Sequence, residues 1–314
     1  MIVKNDLMAL FREFHKGTLS LYNLNFRIIV LLPKKADAKQ IQQYKPICLL
    51  NVSFKIFTKV GTNRITTVAH KVIRPTQTTF LPDRNIMEGV VILHETVHEL
   101  HTKKMDGIIF KIDFEKAYDK VKWQFLQQTL RMKGFSQSWC NWISNWVEGG
   151  TVSVKVNDNV GKNFRTCKGL RQGDPMSPIL FNIVADMLAI LIERAKADGQ
   201  IRRVIPYLVD DGLSILQYAD DTIIFLEHDF EQAKNMKAIL CVFEHLSGLK
   251  INFHKSKIFC FGGAKEMEDQ YRQLFGCNSG SFPFKYLGIP IHYRKLGNSD
   301  WKCVEDRFQR KLST

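Results

Sequence analysis

The stretch Leu213-Ser214-Ile215-Leu216-Gln217-Tyr218-Ala219-Asp220-Asp221-Thr222-Ile223-Ile224-Phe225-Leu226 decides the fold. Residues 213–216 and 223–226 are too short for stable helices and rich in branched and aromatic side chains. They predict two strands with a polar tip between them, a β-hairpin. The tip carries two adjacent carboxylates in apolar surroundings. Adjacent like charges repel, and burying them without a counter-charge is costly. A divalent cation removes that cost, and Mg²⁺ favours a few carboxylate oxygens completed by substrate phosphates. By itself an Asp-Asp pair is the ordinary stuff of a solvated turn, so its meaning depends on the rest of the chain.

The chain of 314 residues has room for one large or two modest domains, and its 45% hydrophobic content supports a core. A formal net charge of +14 points to a polyanionic partner, nucleic acid first and anionic membrane second. No apolar run approaches the roughly 18 residues of a transmembrane helix. Residues 26–33 read as a buried strand, not a signal sequence. The seven cysteines are odd in number and scattered, with no C-x-x-C pair. They support neither a disulfide framework nor a cysteine zinc site, and are expected as buried thiols in a reducing compartment.

Working outward, residues 1–25 read as helical, with Leu7, Leu10, Phe11 and Phe14 at helical spacing. Residues 26–35 form a strand ending in a basic turn, and residues 44–51 lead into a basic helix with Lys55, Lys59 and Arg64. Residues 87–100 form a helix whose core face is expected at Ile86, Val90, Leu93 and Val97. That helix contains His94-Glu95-Thr96-Val97-His98, the zinc-protease pattern, without a further ligand at a familiar spacing. Residues 107–112 are a buried strand with Asp113 at its C-terminal end, where open sheets place their chemistry. A lone Asp there is an ordinary helix cap.

Residues 151–166 alternate as a hairpin around Asn157-Asp158-Asn159. In residues 169–178, Gly169 and Gly173 let the backbone approach a ligand, and Pro175 and Pro178 open a helix that runs to about Ala197. A helix at 231–246 ends in Ser247-Gly248-Leu249-Lys250-Ile251-Asn252, its cap and return strand. Lys255-Ser256-Lys257 is a basic tip, residues 258–261 a strand, and residues 282–291 an apolar turn or strand.

This order suits a βαββαβ-like sheet with Asp113 and Asp220 on neighbouring strands. Three carboxylates at one sheet end in a basic protein suit two metal ions, one activating a 3′-hydroxyl and one neutralising a leaving pyrophosphate. Four blocks then stand in a specific order: Asp113-Phe114-Glu115-Lys116-Ala117-Tyr118-Asp119, residues 169–178, Tyr218-Ala219-Asp220-Asp221, and Ser247 to Asn252. With them the sequence resembles the reverse transcriptases of LINE-type non-LTR retrotransposons, plant ones above all, from about Phe26 to the C-terminus.

The resemblance implies an α+β right-hand polymerase fold with a ferredoxin-like palm sheet. Residues 1–105 would be a helical fingers subdomain, 106–293 the palm and 294–314 the start of a thumb. Asp113 and Asp220 would be the principal metal ligands with Asp221 beside them, holding two Mg²⁺ ions, or Mn²⁺ in their place. Tyr118 would gate the sugar against a 2′-hydroxyl. Gln172 and Gly173 would line the nucleotide pocket, and Lys255 would protonate pyrophosphate. Lys45 stands where the family has a triphosphate-clamping arginine and lacks the bidentate fork. Asp83 stands where the family has glycine, and Asp tolerates a left-handed turn. Tyr286-Leu287-Gly288 would be the primer grip.

The implied partners are an RNA template, a DNA primer and deoxynucleoside triphosphates, and the implied location is nuclear. Relatives carry an endonuclease before this region and more chain beyond the thumb. Weaker template–primer binding and lower processivity are therefore expected. Two rival readings are a nucleic-acid-binding remnant with little or no catalysis, and a zinc hydrolase at His94 and His98.

Overall fold

The computed structural model describes residues 3–21, 24–79, 81–202, 204–205, 207 and 212–312. The first elements are α1 (Lys4–Lys16), β1 (Arg27–Pro33), β2 (Tyr44–Leu50), α2 (Val52–Thr66), α3 (Ala69–Val72), α4 (Ile86–Thr102) and β3 (Gly107–Ile112). Then come α5 (Ala117–Lys120), α6 (Trp123–Met132), α7 (Gln137–Glu148), β4 (Thr151–Val156), β5 (Asn159–Val160), β6 (Phe164–Arg165) and α8 (Ser177–Ala197). The remainder is β7 (Ile215–Tyr218), β8 (Asp221–Glu227), α9 (Phe230–Ser247), β9 (Lys257–Phe261), α10 (Glu268–Phe275), β10 (Asn278–Ser279), β11 (Phe284–Tyr286), β12 (Ile289–Ile291) and α11 (Asn298–Leu312). No described helix is long and apolar enough to cross a membrane.

The chain divides into two compact units. The first comprises Met1–Ile73, Lys116–Val184 and Leu246–Leu249; the second comprises Arg74–Glu115, Ala185–His245 and Lys250–Thr314. In the first unit, β2, β1, β4 and β5 lie in that order, with β6 also on β4. Residues 44–50, expected only as an approach to a helix, are a full strand antiparallel to β1, from Arg27↔Leu50 to Pro33↔Tyr44. The helix waits for Asn51, whose side chain accepts the Ser53 N–H at 2.9 Å. Helix α1 ends at Lys16, well short of residue 25, because Gly17 turns left-handed (φ 74°) and caps it. Phe14 of α1 stacks on Trp146 of α7 at 5.4 Å, and Phe57 of α2 meets Phe14 edge-on at 5.5 Å.

In the second unit the sheet order is β10-β9-β3-β8-β7. Strand β3 is central, antiparallel to both neighbours. Side chains alternate across a strand, so Ile109, Ile223, Phe225, Phe259 and Phe261 share one face. That face packs with Val90, Leu93, Val97 and Leu100 of α4 and with Phe284, Tyr286 and Ile291 of the β11–β12 hairpin. Ile86 does not join this core; it is 38% exposed at the first turn of α4, and Leu100 and Thr96 are buried farther along. On the other face Phe110 packs against Phe275, with ring centroids 4.6 Å apart.

The β11–β12 hairpin turns through Leu287 (φ 52°) and Gly288 (φ 88°), the paired positive angles of a tight hairpin turn. All seven cysteines are free, but only Cys140, Cys260 and Cys277 are buried; Cys167 and Cys241 are exposed. Cys167 lies in a bend between β6 and α8, and Cys241 at an exposed position of α9.

In the first unit Gly248 adopts φ +79°, and a Cβ there would stand 2.5 Å from the Lys120 carbonyl oxygen. The backbone conformation alone costs a non-glycine residue about 1–3 kcal/mol. Gly248→Ala is therefore expected to lower the urea midpoint by at least that equivalent. An unchanged midpoint would contradict the close approach.

Candidate active site

Strands β3 and β8 pair antiparallel up to Ile112↔Thr222. One step further along the same register sets Asp113 opposite Asp221. Across the hairpin Tyr218 pairs with Asp221, leaving Ala219 and Asp220 as the tip. Asp220 is exposed, whereas Asp113 and Asp221 are half-buried. Burial pushes the Asp113 carboxyl above its ordinary range, and the charges of Asp220 and Glu115 push the same way against Lys255 and Lys111. Asp221 is raised too, by burial first, then by Asp220 and Asp113, with Lys111 opposing. Lys111 Nζ stands 3.7 Å from Asp221 Oδ1.

Asp113 is pinned through its backbone. Its N–H donates to the Ser256 hydroxyl at 3.1 Å, and that hydroxyl donates to the Asn252 carbonyl at 2.9 Å. The Asn252 N–H donates to the Asp113 carbonyl at 2.7 Å, and the Glu115 N–H to that of Lys250 at 2.8 Å. Phe114 and Ile251 form the bridge between these bonds. The return strand expected after Gly248 thus holds the Asp113 end of β3. Lys255 sits in the following turn, its N–H donating to the Asn252 carbonyl at 3.1 Å. Tyr286, at the end of β11, is buried; burial raises its hydroxyl above the usual range, and Asp221 and Tyr218 add to the rise.

Tyr118, Gln172, Gly173 and Lys45 belong to the other unit. Tyr118, on α5, stacks on Phe181 of α8 at 4.7 Å and 12°. The Gln172 carbonyl accepts the Cys48 N–H of β2 at 2.9 Å. Gly173 takes φ +108°, and a Cβ there would stand 3.0 Å from the Cys48 carbonyl oxygen. Lys45 is exposed on β2, opposite Leu32 of β1. The loop carrying Gln172 is fixed by a buried pair, Arg171 Nη1 to Asp174 Oδ2 at 3.2 Å.

Asp83 adopts φ 61°, the left-handed turn expected of it. His94 and His98 lie on α4, but His98 Nδ1 is already engaged 3.2 Å from the Tyr293 carbonyl. Among the described residues no three His, Cys, Asp or Glu side chains gather as a metal cage, neither around His94 and His98 nor around Asp113, Asp220 and Asp221. The smaller donor set of Asp113 and Asp221 does suit Mg²⁺, which takes one or two carboxylates and leaves the rest to phosphates and water. Their desolvation and mutual repulsion are what a cation relieves.

Sequence reading missed three residues here. Lys111 was open to it, two positions before Asp113 on the same strand face. Ser256 was seen only as part of a basic tip, and Gln77, which meets the Asp220–Asp221 turn from a loop, left no local signal.

Residues 32–291 match the family described as reverse transcriptase (RNA-dependent DNA polymerase). The chain is 28% identical over 285 residues to the transposon TX1 149 kDa protein of Xenopus laevis, covering 90% of this chain and 21% of that one. It is 27% identical over 273 residues to the Pol polyprotein of the type-2 retrotransposable element R2DM of Drosophila melanogaster, covering 83% and 24%. The chain therefore spans about a quarter or less of the length of these relatives. Among solved structures, apo telomerase of Candida tropicalis aligns with a TM-score of 0.57 at 14% identity, over 93% of this chain and 51% of that one. The fold is thus the right-hand polymerase fold.

The raised Asp113 carboxyl has a consequence for stability. The folded chain holds that proton more tightly than the unfolded chain, so ionising Asp113 costs stability as pH rises past the ordinary aspartate value of about 3.9. In metal-free buffer, Asp113→Asn is expected to raise the Tm at neutral pH. The gain should shrink as pH falls toward that value. A Tm decrease at neutral pH, or a gain independent of pH, would contradict the desolvated carboxylate.

Proposed function

The chain belongs to the reverse transcriptase (RNA-dependent DNA polymerase) family, and on that premise we propose that it adds deoxynucleotides to a primer held on an RNA template. The observation that carries this reading is the half-buried carboxylate pair, Asp113 and Asp221, at the end of adjacent antiparallel strands. The net charge of +14 suits the polyanionic partners, template RNA and DNA primer.

In the transfer, the primer 3′-oxygen bonds to the α-phosphorus of the incoming nucleotide. The bond from that phosphorus to pyrophosphate breaks, and the hydroxyl proton leaves to solvent. Asp113, Asp220 and Asp221 would hold two divalent cations, Mg²⁺ or Mn²⁺. Bound there, such cations neutralise the triphosphate and ease ionisation of the 3′-hydroxyl. Lys255, whose charge reaches Asp113, supplies a proton to the departing pyrophosphate. Lys45 adds positive charge for the triphosphate, without an arginine's fork.

Tyr118, its ring fixed by stacking on Phe181, is the wall against a 2′-hydroxyl. Gln172 and Gly173 line the nucleotide, and Tyr286, Leu287 and Gly288 hold the primer end. Residues 1–105 act as fingers, 106–293 as palm and 294–314 as the start of a thumb, of which 313 and 314 lie outside the described residues. A nuclear site of action follows from the same reading.

With Mg²⁺ and an RNA template, the wild-type chain is expected to extend a DNA primer. Asp113→Asn and Asp220→Asn should each reduce extension on the order of 10²- to 10³-fold, the loss typical when charge stabilisation is removed. Salt-sensitive template–primer binding without extension by the wild type would leave the remnant reading in place. Tyr118→Ala should raise ribonucleotide over deoxyribonucleotide incorporation. An unchanged ratio would remove Tyr118 from the sugar gate.

A further inference from the structure

We propose that Gln77 is a positioning residue for the Asp220–Asp221 turn, set at the head of a buried row of polar side chains behind it. Its consequence for metal binding rests on the function proposed above; its geometry does not.

The turn needs support. Ala219 has φ +53°, a left-handed conformation that only glycine adopts freely, and it is 8% exposed. Its N–H must find an acceptor inside the protein. That acceptor is Gln77 Oε1, at 3.0 Å. Gln77 is wholly buried, 138 residues ahead of Ile215 at the start of β7, and reaches the turn because its own backbone bridges to the sheet. The Gln217 N–H donates to the Thr76 carbonyl at 2.8 Å, and the Thr78 N–H to the Gln217 carbonyl at 3.0 Å. Gln77 thereby pairs in parallel with Gln217 at the free edge of β7. From the far side, Arg84 Nη1 donates to the carbonyls of Arg74 and Gln77. The segment is tied at both faces, so the amide it presents to the turn is held in place.

Gln217 is in turn the partner of Thr222 across β7 and β8. Gln77, Gln217 and Thr222 therefore stand side by side on the bridging segment, β7 and β8, and none is more than 1% exposed. Gln217 Nε2 donates to the Ala185 carbonyl at 3.1 Å. Gln77 Nε2, Gln217 Oε1 and Thr222 Oγ1 have no partner among the described residues. Left unpaired, each such group would cost about 1–3 kcal/mol. They comprise a donor, an acceptor and a hydroxyl that serves as either. The row is thus a buried polar backing next to the carboxylate-bearing tip. Gln77 touches no reacting atom; it fixes where Ala219 ends and Asp220 and Asp221 begin, and hence their spacing to Asp113.

Amide hydrogen exchange by NMR on the full chain tests the strut directly. Gln77→Met removes the acceptor at similar volume, and Gln77→Asn withdraws it by one methylene while keeping the amide. Either is expected to speed exchange at Ala219 by roughly three- to tenfold, the worth of one hydrogen bond, with Ile223 unchanged. Mn²⁺ affinity, read from the electron paramagnetic resonance of free Mn²⁺, should weaken by a similar factor. Gln217→Met breaks the same row away from the turn; it should lower the Tm and leave both readouts alone. Wild-type exchange at Ala219 in whichever Gln77 variant folds, or the same two effects in Gln217→Met, would overturn the proposal. Mn²⁺ binding that ignores Asp113→Asn would instead defeat the metal reading, and the exchange measurement would still decide the strut.

Discussion

Carboxylates brought together at the open end of β3 and β8 repel, and the fold does little to soothe them. Asp113 and Asp221 are half-buried, and among the described residues the counter-charge beside Asp221 is Lys111, at 3.7 Å. Both carboxyls are held above their ordinary range by burial. Native proteins are stable by only about 5–15 kcal/mol, so such a pair persists only where the surrounding structure over-determines it. The centre of β3 does this: Ile108, Ile109, Phe110 and Ile112 are all at 0% exposure. Each buried side chain of this size contributes about 1.5–3 kcal/mol.

The remaining sequence blocks are explained by that constraint. Asp113 cannot drift, because the segment after Gly248 bonds to its N–H, its carbonyl and the N–H of Glu115. Ser256 is wholly buried to make the first of those bonds. Blocks more than 130 residues apart in the chain thus form one local structure, and their joint occurrence in the sequence reflects one mechanical task. The same logic covers Arg171 and Asp174, a buried ion pair that stabilises the loop presenting Gln172 and Gly173. Losing one member of such a pair leaves a charge stranded.

What could be read beforehand followed the range of the interactions concerned. The hairpin tip, the strand ending at Asp113, and their adjacency in one sheet were legible because period-two apolar runs and turn residues are local signals. Asp83, Gly248 and the Asn157-Asp158 turn were legible because positive φ selects few residue types; the last two take φ 47° and 64°. Strand β2 was not, since residues 44–50 become a strand only by pairing with β1. Ile86 fits the helical period but falls at a first turn that the core does not reach. Roles for Tyr118, Gln172 and Lys45 came from family resemblance alone; no periodicity distinguishes a stacked tyrosine from a packed one. Gln77 was invisible because its role lies in a loop's approach to a turn some 140 residues later.

The proposed reaction needs Asp113 and the Asp220–Asp221 turn to hold divalent cations. Iron-directed cleavage tests it most directly: Fe²⁺ replaces Mg²⁺ in the presence of template–primer and nucleotide, hydroxyl radicals are generated at the bound ion, and the cut sites are read by mass spectrometry. Cuts clustered around Asp113 and around Asp220–Asp221, displaced by excess Mg²⁺, are the predicted result. Cuts confined to His94 and His98 on α4, or no metal-competed cleavage at all, would contradict it.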